Sequence, residues 1–301
     1  MFGKTSANKQ RYRCKRCSLT FTWQNKSNKR YTEKHWFDLW IKESYSIRQL
    51  SKISGHSAAK LKRIKNYWLS QNPPATIRKN GARTKYLIFD ATYFHKQGCC
   101  LIVIDTKSRK IIANSYEDKE RRSNTCTLFL TLLEQGVAPV AITIDGHTQV
   151  TRAIKEVFPK AKIQRCLYHI QRQGLSWLRA RPKTQAARDL KELLLFLPNI
   201  KTEEEKNIFI ESFFSWQAKY KEFMDNLPNT SIAMNDLKRT ASVIKYALPN
   251  MFHYIYDKNI APTTNIAESK FSRLKSDFQR HRGLREKHKV AYLKWYIYHD
   301  N

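Results

Sequence analysis

The feature that most constrains the fold is a series of short apolar segments between residues 85 and 166. Three strand-like segments come first, at 85–95, 99–105 and 110–116, and short turns join them. Strands this close in sequence pair antiparallel, because a short turn reverses the chain. A helix, a strand, a helix and a strand then follow, at 124–135, 139–145, 149–158 and 161–166. The pattern predicts an α/β fold around one mixed sheet.

The segments on both sides of this α/β region are helical in pattern. From 170 to about 257 the apolar residues recur only at helical spacing, and another helix begins after Pro262. Upstream, the paired Pro73 and Pro74 cannot continue a helix, so they predict a linker after residue 72. We therefore expect a small helical domain at 31–72 and a large α/β domain at 85–301, with an all-α insertion at about 170–257.

The small domain has the pattern of a helix-turn-helix. Apolar residues recur every three positions up to Ser54, Gly55-His56-Ser57 forms a turn, and a second helix spans 58–69. An ordinary helical hairpin with a solvated basic face gives the same pattern, but the charge of the whole chain favours DNA binding. The second helix carries four cations that could contact DNA: Lys60, Lys62, Arg63 and Lys65.

The net charge indicates a polyanionic partner. Lys and Arg total 56 against 25 Asp and Glu, a formal net charge of +31. Such an excess repels itself in a compact fold, whereas nucleic-acid phosphates neutralise it and release counterions. A basic surface without a partner and an anionic membrane are the alternatives. The sequence has no apolar run of about eighteen residues and no lipidation signal. We therefore expect double-stranded DNA as the partner and no membrane.

Three acidic residues stand where this order of strands would bring them together. Asp90 lies inside an apolar strand, where burial of an unpaired carboxylate is costly. Asp145 ends the fourth strand, and Glu268 lies in the helix after Pro262. Taken singly they could be a solvated edge residue, a turn residue and a surface glutamate. Together they predict a site for two Mg²⁺ (or Mn²⁺) ions, which prefer oxygen ligands and serve phosphodiester chemistry.

Asp145 and Glu268 lie in motifs that resemble those of the Mutator-like bacterial insertion-sequence transposases. The motifs are Asp145-Gly146-His147, Arg165-Cys166-Leu167-Tyr168-His169, Thr263-Thr264-Asn265-Ile266-Ala267-Glu268-Ser269, Leu274-Lys275 and His281-Arg282-Gly283-Leu284. The resemblance covers about 85–284. It implies a ribonuclease-H-like catalytic domain with a three-carboxylate (DDE) site, in which Asp90, Asp145 and Glu268 are catalytic and bind the metal ions. It also implies that Cys166 and His169 lie near the active site.

The resemblance implies a DNA transposase. Such an enzyme binds the terminal inverted repeats of its own insertion sequence, cleaves the DNA to free 3′-hydroxyls and joins them to target DNA. Because two ends must be held together, we expect a homodimer or a larger assembly on DNA. Cations near Glu268 are placed to grip phosphates, among them Arg273, Lys275 and Arg282. Two alternatives stay open: a catalytically inactive DNA-binding repressor of the same fold, and a metal-dependent nuclease or resolvase.

The cysteines bear on zinc and on the cellular compartment. Cys14 and Cys17 resemble the second knuckle of a zinc ribbon, but a tetrahedral zinc site needs four ligands. Because no Cys or His precedes Cys14 in the sequence, we expect 1–30 to be a partial zinc-ribbon-like basic segment without zinc. The six cysteines are scattered rather than arranged as a disulfide framework. We therefore expect a reducing bacterial cytoplasm, in association with the nucleoid.

Overall fold

The computed structural model describes residues 1–6, 8–22, 26–74, 83–94, 98–226, 232–281 and 283–299. The chain divides into two compact units, Met1–Asn72 and Pro73–Asn301. Within the described residues, no helix is both long enough and apolar enough to cross a membrane.

In the described part of the first unit, a short β-hairpin precedes three helices. The hairpin pairs β1 (Arg11–Arg13) with β2 (Thr20–Thr22), and Cys14 and Cys17 lie between the two strands. The helices are α1 (Lys26–Lys42), α2 (Ile47–Ser54) and α3 (Ala58–Leu69). Apolar side chains from all three helices are almost fully buried: Phe37, Trp40, Ile41, Leu50, Leu61 and Ile64.

Local signals fix the turn between α2 and α3. Ser46 begins α2 with a capping box, in which its hydroxyl accepts a hydrogen bond from the Gln49 N–H and the Gln49 side chain accepts one from the Ser46 N–H. Gly55 ends α2 at a φ of +66°, in the left-handed region that favours glycine. Ser57 then caps α3 by accepting a hydrogen bond from the Lys60 N–H. The two helices are therefore joined by a tight turn.

The second unit is built on a five-stranded sheet with the order β5-β4-β3-β6-β7. The strands are β3 (Tyr86–Phe94), β4 (Gly98–Asp105), β5 (Ile111–Glu117), β6 (Ala141–Ile144) and β7 (Lys162–Arg165). β3, β4 and β5 pair antiparallel, whereas β6 pairs parallel with β3 and β7 pairs parallel with β6. The prediction of an α/β fold around a mixed sheet is confirmed.

Helices cover both faces of this sheet. On one face α4 (Arg122–Glu134) and α5 (Thr148–Val157) share a core with alternate strand residues such as Phe89 and Val103. On the other face lie α12 (Asn265–Arg280) and α13 (Glu286–His299), where Phe278 of α12 contacts Phe94. Successive strand residues point to opposite faces, so Asp90 shares the second face with Phe94.

A helical block lies between β7 and α12 in the sequence. Its helices are α6 (Leu167–Leu178), α7 (Gln185–Phe196), α8 (Glu203–Lys219), α9 (Lys221–Asp225), α10 (Ile232–Ala247) and α11 (His253–Tyr256). It has a core of its own, which includes Ile170, Leu194, Phe213 and Ile244. The block begins at Leu167 rather than at 170, because α6 starts directly after β7 with Cys166 as its first flanking residue.

Candidate active site

Asp90 lies in β3, and Asp145 directly follows the neighbouring parallel strand β6. In the register of the two strands Ile88 lies opposite Thr143, so two residues further along the chain come Asp90, within β3, and Asp145, the first residue after β6. Neighbouring strands are about 4.8 Å apart, which brings the two carboxylates to one edge of the sheet. Asp90 is only 7% exposed, and its Oδ1 accepts a hydrogen bond of 2.9 Å from the Ala91 N–H. Asp145 Oδ1 accepts one of 2.9 Å from the His147 N–H.

Glu268 reaches the same region from α12. It lies in the first turn of that helix, which packs against β3 on the face of Asp90. Burial raises the pKa of Asp90, and the charges of Asp145 and Glu268 raise it further, against the opposing charge of His169. Asp145 and Glu268 therefore both lie close enough to Asp90 to act on it electrostatically.

The donor set suits Mg²⁺ in kind. All three side chains offer carboxylate oxygens, the ligands that this ion prefers. Glu268 Oε1 is buried and accepts no hydrogen bond from a described residue, although His169 Nε2 lies 3.3 Å from it. In the described part of the chain, however, no three His, Cys, Asp or Glu side chains stand close enough to enclose a metal ion. The acids would have to draw closer together to do so.

Cys166 and His169 contact the helix of the third acid. The Thr264 N–H donates to Cys166 Sγ at 3.3 Å, and Thr264 Oγ1 lies 3.5 Å from the same sulfur. His169 Nδ1 lies 3.3 Å from both Cys166 Sγ and Thr264 Oγ1, and His169 Nε2 lies 3.3 Å from Glu268 Oε1. The last pair is within ion-pair range, although its angles do not make a hydrogen bond. Contact with Cys166 raises the pKa of His169 most, and burial opposes it.

Arg165 and Gly146 shape the surroundings of Asp145, and the sequence analysis gave them no role. Arg165 Nη2 donates to the Asp145 carbonyl at 3.2 Å, and its guanidinium lies directly against Gly146. A Cβ at position 146 would be 1.9 Å from Arg165 Cζ, and the φ of Gly146 is +98°. Only glycine fits both the contact and the backbone conformation. The glycine that directly follows the second acid was the available signal.

Glu120 is a fourth carboxylate that the sequence analysis missed. It precedes α4, its side chain is 9% exposed, and its Oε1 lies 3.9 Å from His147 Nδ1. Burial raises the pKa of Glu120, and the charge of Asp145 adds to this effect while His147 opposes it. No sequence pattern singles this residue out, because its segment lies between elements and contains other acids.

The cations predicted to bind DNA differ in their exposure. On α3, Lys62 and Arg63 are exposed, whereas Lys60 Nζ lies 3.3 Å from His56 Nε2. Lys65 is half-buried, with its Nζ 5.5 Å from the centre of the Trp40 ring, and burial lowers its pKa. On α12, Arg273 and Lys275 are exposed. Arg282 lies outside the described residues.

A basic cleft lies between α2 and α3 in the first unit. It has a volume of about 610 Å³ and is lined by Arg48, Lys52 and Lys62 together with Ile47, Ser51 and Ala58. In the hairpin of the same unit, the backbone N–H groups of Cys17 and Arg16 lower the pKa of Cys14. The partial zinc-ribbon character of this hairpin stays a prediction.

Comparisons with known proteins place the chain in a family. The sequence model of "Transposase, Mutator family" matches residues 29–257, a range that includes Asp90, Asp145, Cys166 and His169 and ends before Glu268. A curated relative, the transposase for insertion sequence element IS905 of Lactococcus lactis subsp. lactis (strain IL1403), is 23% identical over 210 residues. That similarity takes in 65% of this chain and 50% of the relative, so the chain spans about half the length of the curated relative it matches.

A solved structure is similar at a low level. It is a chain of the cryoEM structure of the simian T-cell lymphotropic virus intasome in complex with PP2A regulatory subunit B56 gamma. The similarity covers 69% of this chain and 68% of that chain, at 13% sequence identity and a TM-score of 0.23. A score this low supports no argument, and the assignment depends on the family model, which matches well over half of the sequence. The chain belongs to the Mutator family of transposases.

Proposed function

We propose that this chain is a DDE transposase with a ribonuclease-H-like catalytic domain, which cleaves the ends of its insertion sequence and joins the freed 3′-hydroxyls to target DNA. The observation that carries the proposal is the position of Asp90 on β3 and of Asp145 directly after the adjacent parallel strand β6, with Glu268 brought to the face of Asp90 by α12. The order of the strands supports a ribonuclease-H-like domain. The helical block between β7 and α12 agrees with an insertion between the second and third acids.

Asp90, Asp145 and Glu268 would hold two Mg²⁺ (or Mn²⁺) ions. When bound, such ions activate the attacking oxygen and stabilise the leaving oxygen of a phosphodiester. The carboxylates supply the negative charge that holds the cations, and the nearly complete burial of Asp90 limits water at that side chain. Arg273 and Lys275, exposed on the helix that bears Glu268, would hold backbone phosphates beside the acids.

Recognition of the element ends is assigned to the first unit. Its α2–turn–α3 arrangement supports a helix-turn-helix, in which α3 would enter the major groove. Lys62 and Arg63 are exposed on α3, and Arg48 and Lys52 line the adjoining cleft. The partners would be the terminal inverted repeats and the target DNA, held by a homodimer or a larger assembly.

Neutralising Lys62 and Arg63 together is expected to weaken binding to element ends by about 10- to 100-fold and to lower the salt slope of log Kobs by about 2, because each cation contacts one phosphate. Fluorescence anisotropy with end DNA over a range of salt concentrations measures both quantities. As a control, the Lys201→Ala/Lys258→Ala variant loses the same charge from exposed positions of the second unit. Equal losses in the two variants would mean that total charge, and not α3, governs binding.

Replacement of Asp90 by Asn is expected to stabilise the metal-free protein. Burial raises the pKa of Asp90 from 3.8 to about 7, so the folded state holds the proton more tightly than the unfolded state does. Ionisation of Asp90 therefore lowers the free energy of unfolding as the pH rises from about 4 through 7, by roughly 1.4 kcal/mol per unit of pKa shift. At pH 8 we expect the Asn variant to gain about 2–4 kcal/mol, visible as a higher Tm. The gain should vanish near pH 4. An Asn variant that is less stable than wild type at pH 8 would contradict the conclusion that burial of the ionised Asp90 carboxylate destabilises the fold.

The proposed function is tested with pre-cleaved element ends, Mg²⁺ and a supercoiled target plasmid. Joined products support the transposase. Cleavage without joining would indicate a metal-dependent nuclease or resolvase, and bound but unchanged DNA would indicate a repressor that keeps the fold without catalysis.

A further inference from the structure

We propose that Cys166, His169 and Thr264 form a positioning network that fixes the carboxylate of Glu268 and so sets the affinity of the site for divalent cations. The inference rests on the proposed function of the three acids. It assigns to these residues no contact with DNA. Glu268 is positioned by residues outside α12, in the segment that directly follows β7.

The network joins residues that are far apart in the sequence. Cys166 and Thr264 are 98 positions apart, with the helical block between them, yet the Thr264 N–H donates to Cys166 Sγ at 3.3 Å. Two further hydrogen bonds reinforce this junction: the Leu167 N–H donates to the Pro262 carbonyl at 3.0 Å, and the Thr143 side-chain hydroxyl donates to the Ala261 carbonyl at 2.7 Å. The segment that leads into α12 is therefore bound to the ends of β6 and β7.

Thr264 does not cap α12 with its side chain. It occupies the N-cap position, where a threonine hydroxyl usually accepts a hydrogen bond from the first helical turn and stabilises the helix by about 1 kcal/mol. In the described structure the hydroxyl makes no such bond. It lies instead between Cys166 Sγ and His169 Nδ1, and both Cys166 and Thr264 are completely buried. The usual local cap is thus replaced by a contact between two helices.

The two nitrogens of the His169 ring face different partners. Nδ1 lies 3.3 Å from the buried anchor atoms of Cys166 and Thr264, while Nε2 lies 3.3 Å from Glu268 Oε1. Thr264 and Glu268 are four positions apart and therefore share one face of the helix, so a single imidazole can reach both. A ring anchored through one nitrogen can orient a carboxylate through the other, as residues that support metal ligands do.

Burial separates this role from catalysis. Cys166 and Thr264 are 0% exposed, so they reach neither DNA nor solvent. The His169 and Glu268 side chains are each 28% exposed, and the charge of Glu268 acts on Asp90. We therefore class His169 as a positioning residue that acts through Glu268.

The test is direct binding of Mn²⁺ to the full DNA-free chain, measured by electron paramagnetic resonance of the free ion. Loss of a residue that supports a metal ligand typically costs 10- to 100-fold in affinity, so His169→Ala is expected to raise the Kd for Mn²⁺ by that factor. His169→Gln places an amide donor near the position of Nε2 and is expected to recover much of the affinity. Thr264→Val, which keeps the volume and removes the hydroxyl, is expected to raise the Kd by roughly 10-fold.

The matched control is His253→Ala, which removes another half-buried imidazole from α11 of the same unit. We expect it to leave Mn²⁺ affinity and strand transfer unchanged. Circular dichroism and Tm establish that each variant is folded. If His169→Ala does not fold, His169→Gln and Thr264→Val decide the matter.

Different results would overturn the positioning network and the proposed function. Wild-type protein that binds Mn²⁺ and joins DNA ends, with folded His169 and Thr264 variants of unchanged Mn²⁺ affinity, would overturn the network and leave the transposase intact. Wild-type protein that neither binds Mn²⁺ nor processes DNA would overturn the proposed function, and the network with it.

Discussion

Asp90→Asn, Asp145→Asn and Glu268→Gln are each expected to reduce strand transfer by at least about a thousandfold, because every substitution removes a charged oxygen from the cation-binding set. Binding to element ends should stay within a few-fold of wild type, since the cations of the first unit are unchanged. Strand transfer is measured with pre-cleaved ends and a plasmid target, and binding by fluorescence anisotropy at the same salt concentration.

Asp105→Asn is the matched control for this series. Asp105 is the last residue of β4, much as Asp145 directly follows β6. Because β4 runs antiparallel to β3, Asp105 lies opposite Leu87 near the start of β3, whereas Asp90 lies opposite Ile102. Its Oδ2 accepts a hydrogen bond of 2.9 Å from the Ser108 N–H, as a turn residue does. We expect full activity from this variant. A triad variant that keeps a tenth of wild-type activity would remove its residue from the catalytic set, and a comparable loss at Asp105 would mean that the assay reports general damage.

Much of the fold could be predicted because its signals are local. The capping box at Ser46, the left-handed Gly55 and the apolar periodicity of β3 each depend on residues within a few positions of one another. Element boundaries differ from the predicted ones by a few residues, and α4 begins at Arg122 rather than at 124. Residue 95, the predicted end of the first strand, lies outside the described residues.

The relations within the site could be predicted only in part. Parallel pairing of β3 with β6 follows from the order of elements, and it directs Asp145, the residue after β6, towards Asp90. The contact of Thr264 with Cys166 joins residues 98 positions apart, and no periodicity or turn signal encodes it. Thr264 occupies the cap position of α12, but its hydroxyl is used in tertiary contacts.

The position of Gly146 against Arg165 belongs to the same class of tertiary relations, and it has a measurable consequence. Gly146→Ala is expected to lower strand transfer by on the order of 10- to 100-fold, because the new Cβ must displace the Arg165 guanidinium and, with it, the segment that carries Asp145. A positive φ of +98° adds backbone strain of about 1–3 kcal/mol. The rate is measured in the plasmid-joining assay, and the stability by urea titration.

Gly136→Ala separates strain from displacement. Gly136 also has a positive φ, of +78°, but a Cβ there meets no described atom within 4 Å. Its replacement should therefore cost backbone strain alone, and we expect a lower free energy of unfolding with a strand-transfer rate close to that of wild type. Gly146→Ala should show both the loss of stability and the loss of rate. If the two variants lose rate equally, strain in the fold explains the effect and the contact with Arg165 does not; if Gly146→Ala joins ends at the wild-type rate, the placement of Asp145 does not depend on that contact.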